Sequence, residues 1–192
     1  MRSCANAARF VGIWLLALFL LAFAPQGFAD GSIRYAEIVS GEDGYVVNAD
    51  IALELNPRLE DAIARGVSLH FVAEFQIVRG RWYWFDDVVA ERTLNYRLSY
   101  HAITRTYRLS IGNLHQSFDN LDAAVRTMQR IRNWHIVDAN LLQSGVSYNA
   151  ALRFRHDTSM LPRPFQVTAI GSRDWNLATD WMRWTFLAGT TR

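Results

Sequence analysis

Two segments of the chain alternate apolar and polar side chains so regularly that they leave little choice of backbone. In "YVVNADIALEL", Tyr45, Val47, Ala49, Ile51, Leu53 and Leu55 take every second position, with Asn48, Asp50 and Glu54 between most of them. In "VSLHFVAEFQIV", Leu69, Phe71, Ala73, Phe75 and Ile77 do the same against His70, Glu74 and Gln76. Successive side chains of a strand point to opposite faces, so a period of two marks a strand with one buried side. The pattern recurs at 33–39, 107–111 and 146–154, and shorter apolar runs mark strands at 134–137, in "FQVTAIGS" and in "WMRWTFLA".

The stretch "RWYWFDDVV" opens a further pattern. Trp82, Trp84, Val88, Ala90, Leu94, Tyr96 and Leu98 share one parity, whereas Tyr83 and Phe85 take the other. A straight strand from 82 to 100 would run roughly 60 Å, so a bend or bulge is expected at Asp86 and Asp87. Tyr83 and Phe85 then need a cover, whether a helix, another part of the chain or a partner.

Helical signals are confined to two places. Around 57–65, Asn56 caps, Pro57 takes the first turn, Glu60 and Asp61 come early and Gly66 stops the helix. In "FDNLDAAVRTMQRIRN", Leu121, Ala124, Val125, Met128 and Ile131 fall at helical spacing, with Arg126, Arg130 and Arg132 late. About nine strands with two short helices predict an all-β domain, an antiparallel β-sandwich.

The N-terminus sets the compartment. Arg2 and Arg9 precede an uncharged run over 10–24, and Gly27 and Ala29 precede Asp30. That is the layout of a cleavable secretory signal peptide over 1–29, leaving a single domain over 30–192. A periplasmic location follows, with an uncleaved inner-membrane anchor as the alternative. The one cysteine, Cys4, lies inside that segment, so the exported domain would hold neither disulfides nor thiolate chemistry. Arg2 and Arg9 also account for the net charge of +2, and the remaining domain is formally neutral, without the basic excess of a general nucleic-acid binder. Every basic residue is arginine, which excludes Schiff-base and Walker-type lysine chemistry.

Catalytic constellations are hard to assemble. The five histidines, His70, His101, His115, His135 and His156, show no paired metal-ligand spacing. "GVSYN" misses the nucleophile elbow at its last position. The carboxylates of Asp86 and Asp87 would diverge on a strand and so mark a bend. No catalytic residue, cofactor or metal is expected.

Aromatics carry the remaining functional signal. Trp175 and Trp181 each follow an aspartate in "SRDWNLATDWMRW", and tryptophan faces bind sugars, cations and peptides. With Tyr83 and Phe85 they form the candidate partner or ligand surface; Trp184 shares parity with Met182 and Phe186 and belongs to the core. Arg97, Arg108, Arg153 and Arg155 alternate outward and read as a solvated sheet face in preference to an anion site.

The order of "RWYWFDD", "YRLSYHAITRTYRLS", "IRNW", "LPRPFQV" and "DWNLATDWMRWTF" resembles the bacterial exported family of domain of unknown function 4390, found in Gram-negative organisms. The resemblance spans nearly all of the expected mature chain and brings no catalytic residues. It implies an envelope-sensing partner, a membrane sensor kinase of the nitrogen-regulation type. The expectation is therefore a periplasmic, non-catalytic binding protein. A carbohydrate or peptidoglycan binder and an envelope hydrolase with a non-local site are the alternatives.

Overall fold

A computed structural model describes residues 31–80 and 87–189. The expected signal segment, the side chains of Trp82, Tyr83, Trp84 and Phe85, and Asp86 of the expected bend lie outside the described residues. Asp87 opens a strand.

The described residues form nine strands in two antiparallel sheets. The smaller sheet holds β1 (Gly31–Ser40), β2 (Gly44–Leu53) and β7 (Arg130–Asp138), with β2 in the centre. The larger has the order β6-β5-β4-β3-β8-β9, from β3 (Leu69–Arg79), β4 (Asp87–His101), β5 (Thr106–Ile111), β6 (Leu114–Phe118), β8 (Ser147–His156) and β9 (Met182–Leu187). This is the expected all-β architecture. Between β2 and β3 runs helix α1 (Pro57–Ala64), and α2 (Leu121–Met128) precedes β7.

The period-two faces become the core. Tyr45, Val47, Ala49, Ile51 and Leu53 of β2 and Leu69, Phe71, Ala73, Phe75 and Ile77 of β3 are all buried and belong to one hydrophobic cluster. Phe75 meets Trp134 of the opposite sheet edge-on, with centroids 6.1 Å apart, and Tyr45 meets Phe186 at 6.2 Å. Such aromatic pairs add about 0.5–1.5 kcal/mol to the burial of their area. Leu59, Ala62 and Ile63 of α1 and Ala124 and Met128 of α2 join the same cluster. Both helices start as their sequences require: Asn56 Oδ1 accepts from Leu59 N–H at 3.0 Å, and Asn120 Oδ1 from Ala123 N–H at 2.8 Å.

Three expectations need correction. Helix α2 stops at Met128, and Arg130, Ile131 and Arg132 belong to β7. Pairing with β2 overrides the helical spacing of Ile131 from Met128; beyond Ile131 the β2–β7 register slips between Val47 and Ala49, with Asn133 in the left-handed region at φ 51°. The slip places Ile131 opposite Ala49 and Trp134 opposite Val47, a spacing of three within a strand. Asn48 Oδ1 accepts from Asn133 N–H at 3.0 Å and Arg132 donates to the Ala49 carbonyl at 2.8 Å, so the bulge is filled with polar partners.

Second, "FQVTAIGS" is no strand but contains most of a third helix, α3 (Arg163–Ala169). Pro164 in its first turn is pre-set for helical φ, and Gln166 donates through Nε2 to the carbonyls of Ser159 and Leu161, both at 2.7 Å. The described helices therefore number three rather than two. Third, β6 is a strand that the sequence reading passes over. It pairs with β5 through the two-residue turn Gly112-Asn113, with Gly112 at φ 57°, and Gly-Asn between two runs is a hairpin signal.

At Gly44 the start of β2 lies close against the end of β7. A Cβ there would stand 2.3 Å from the Val137 carbonyl oxygen and 2.9 Å from Asp138 Cα, both backbone atoms. The Gly44→Ala variant is expected to lose about 1–3 kcal/mol of stability, measured by urea unfolding, because the ladder must part to admit the methyl group.

Candidate functional site

Of the predicted aromatic surface, Trp175 and Trp181 fall among the described residues, and Trp175 is not on the surface. Trp175 is buried, 1% exposed, in the short 3-10 turn Arg173–Trp175. Its ring stacks at 25° on His156 and packs on Phe165 at 5.8 Å, with the Arg58 guanidinium 5.9 Å away. The correction has a physical cause. Asn56 Nδ2 donates to the Asp174 carbonyl at 2.8 Å, tying the turn to the start of α1, so that Trp175 faces inward. Trp181 is half-buried, and the Arg153 guanidinium sits 4.6 Å from its ring centroid. Tyr83 and Phe85 lie outside the described residues.

Functional groups concentrate instead on the outer face of the six-stranded sheet. Period two sends His70, Glu74 and Gln76 of β3 outward, and register sets Arg97 beside His70, and Arg153 beside Glu74. Around Glu74 the charges close on themselves. Arg153 Nε and Arg155 Nε each donate to its carboxylate at 2.9 Å, and Arg155 reaches Asp157 at 3.7 Å. Burial acts to raise the pKa of Glu74, but these two guanidinium hydrogen bonds outweigh it and hold the carboxyl below its usual range. At Asp157 burial likewise acts to raise the pKa, and the Ser159 hydroxyl and amide, with the charge of Arg155, outweigh it and hold the carboxyl below its usual range. Arg153 thus joins Glu74 to the Trp181 ring in one rigid group.

The other half of the same arginine row behaves differently. Arg97 of β4 and Arg108 of β5 open on a cleft of about 330 Å³, lined also by Ser68, Ser99, His101, Ser110 and His115, with no carboxylate in its wall. Arg97 is held by a hydroxyl, its Nε and Nη2 lying 3.4 and 3.3 Å from Ser68 Oγ. His101 Nδ1 lies 3.0 Å from Thr104 Oγ1 at the β4–β5 turn. Sequence reasoning named both arginines but missed the histidines and serines, since their convergence depends on β6 and on the β4–β5 register. The alternation of β5 and the Gly112-Asn113 turn were the available signals.

Two histidines of this sheet are shielded from solvent, His156 on its core side and His70, in part, on its outer face. His156 Nδ1 lies 2.8 Å from the Trp175 carbonyl, and a carbonyl only accepts, so Nδ1 carries the proton and Nε2 is left bare. That Nε2, and Nδ1 of His70, are buried without a hydrogen-bond partner among the described residues. Burial lowers the pKa of His156, the neighbouring His70 and Arg155 push the same way, and the Trp175 carbonyl and Asp157 only partly oppose them. Burial, then the charge of Arg97, lowers that of His70, against the opposing charge of Asp157.

Elsewhere, Met160, Val167 and Ile170 stand out on the segment carrying α3, 58, 72 and 82% exposed. Val167 lies in its last turn and Ile170 is the residue that caps its end. His135 Nε2 lies 3.3 Å from Asp138 Oδ1, both side chains exposed on β7; they form no enclosed pair. No helix of the described residues is long and apolar enough to cross a membrane.

A family model described as Domain of unknown function (DUF4390) matches residues 29–185. No curated protein and no solved structure matches the chain.

Truncating the two tryptophans separates their roles. Trp175→Ala is expected to cost about 3–5 kcal/mol in chemical unfolding, whereas Trp181→Ala costs about 1 kcal/mol or less, in keeping with a half-exposed cation–π contact. The buried histidines set a pH dependence. Their folded pKa values lie below that of the unfolded chain, near 6.5, so the unfolded state takes up protons first as the pH falls. Stability is complete above about pH 6.5 and declines below it, ahead of the carboxylates. In His156→Gln, which keeps a donor for the Trp175 carbonyl and does not titrate, the fall in unfolding free energy between pH 7.5 and pH 5 is expected to be shallower.

Proposed function

The chain belongs to the family of unknown function DUF4390, and we propose that it serves as an exported, non-catalytic binding protein of the Gram-negative cell envelope. Its partner is a protein, the periplasmic part of a membrane sensor kinase. The observation that carries this reading is the exposed apolar group Met160, Val167 and Ile170. Single exposed apolar residues are ordinary on a soluble surface, but three within eleven residues, on a segment pinned by Gln166 and by the buried Leu161 and Ala169, concentrate what a partner would cover. The signal-like segment 1–29 supports export, and the family resemblance supplies the kinase.

The carbohydrate alternative has less support, because Trp175 is in the core and the Trp181 ring already carries Arg153. An envelope hydrolase needs a histidine beside a serine or a carboxylate inside a cleft. His101 and His115 line a cleft with Ser99 and Ser110, but His101 bonds Thr104 and no histidine–serine hydrogen bond is present among the described residues; the His135–Asp138 contact stands on an exposed strand.

Calorimetric titration of the protein with the purified periplasmic portion of the kinase tests the proposal. Saturable binding is expected, weakened at least tenfold by the double variant Val167→Glu/Ile170→Glu at unchanged thermal stability. No heat with the wild-type chain, or equal affinity for the double variant, would overturn it.

A further inference from the structure

The charges on the outer face are sorted in a way that the arginine row alone does not require. Of the four arginines in the row, Arg153 and Arg155 each lie within 4.0 Å of a carboxylate: Glu74, and Glu74 with Asp157. Arg97 and Arg108 have no such partner among the described residues. They are also set close together. Arg97 lies opposite Ser110 and Arg108 opposite Ser99 on adjacent antiparallel strands, the diagonal arrangement that places Cβ atoms about 7–8 Å apart on one face. Ser110 in turn lies opposite His115 of β6.

Two like charges at this spacing repel each other, and the sheet holds them there regardless. Around them the cleft offers hydroxyl and imidazole groups: Ser68, Ser99, Ser110, His101 and His115. We infer that this cleft is a binding site for a phosphoryl oxyanion, a phosphate ester or phosphate-bearing headgroup, with Arg97 and Arg108 as its paired cations. One guanidinium fork satisfies both oxygens of a carboxylate. A second fork on the diagonal, with serine donors between, matches a group with three or more acceptor oxygens. The cleft, at about 330 Å³, has room for the group and part of what it is attached to. This site is apart from the apolar group around α3 and does not depend on the partner assigned there.

Calorimetric titration of the full chain with inorganic phosphate, against sodium acetate at equal ionic strength, is the test. Saturable phosphate binding is expected, at least tenfold weaker in Arg97→Gln and in Arg108→Gln and unchanged in Arg65→Gln, whose guanidinium pairs with Asp61 on an exposed helix. Sedimentation with phosphatidylglycerol vesicles distinguishes the two sources of such a group. Vesicle binding that phosphate competes away and Arg97→Gln/Arg108→Gln abolishes identifies a lipid headgroup; phosphate binding without it identifies a soluble ester. Absence of saturation up to about 10 mM phosphate, equal affinity for acetate, or undiminished binding by both single variants would overturn the assignment.

Discussion

The apolar face of β3 is the constraint on which the rest of the molecule depends. Leu69, Phe71, Ala73, Phe75 and Ile77 are buried, and the strand is hydrogen-bonded on one side to β4 and on the other to β8. A strand with a ladder on both edges and one face in the core has a single register available, since a slip of one residue would turn all five side chains into water. That register decides which residues emerge on the other face: His70, Glu74 and Gln76 on β3, with Arg97 and Arg153 on the strands beside it. The polar chemistry of the outer face is thus a consequence of how the core is filled.

On that face, charge is distributed by neighbours more than by number. Glu74 has two guanidinium groups to itself and satisfies both, and Arg153 then covers Trp181. A half-buried tryptophan is covered by an arginine that Glu74 already holds in place. Where no acid falls in register, Arg97 and Arg108 are left facing serine and histidine. Deep burial of His156 against Trp175 extends the same logic inward, because an imidazole with one nitrogen committed to a carbonyl and the other bare is kept neutral.

Much of the fold was legible because alternation is a direct imprint of geometry. The core residues of β2 and β3, the Asn56 cap and the stop at Gly66 all follow from spacing and from the known preferences of single residues. What escaped has a common cause: local pattern overridden by contacts distant in sequence. Ile131 falls three residues after Met128 and so mimics a further helical step, but its pairing with Ala49 of β2 claims it for a strand. Trp175 looked free beside Asp174, yet the amide of Asn56 on another element turns it inward. In the candidate site the arginines could be named from parity, but Glu74, which occupies two of them, and His115, beside the other two, come from different strands. Family resemblance across nearly the whole chain was also visible in the sequence, and the family model over residues 29–185 bears it out.

The pairing of Gly44 with Asp138 also bears on when the molecule can fold. β2 is complete early in the chain, but its partner β7 comes after the whole meander from β3 to β6 and helix α2. Until β7 arrives, the smaller sheet consists of the β1–β2 hairpin alone, and an isolated hairpin is marginally stable at best. Such non-local pairing slows folding because the intervening chain must lose its freedom before the contact is made. The first strands of the chain therefore cannot lock into the smaller sheet until most of the sequence has followed them.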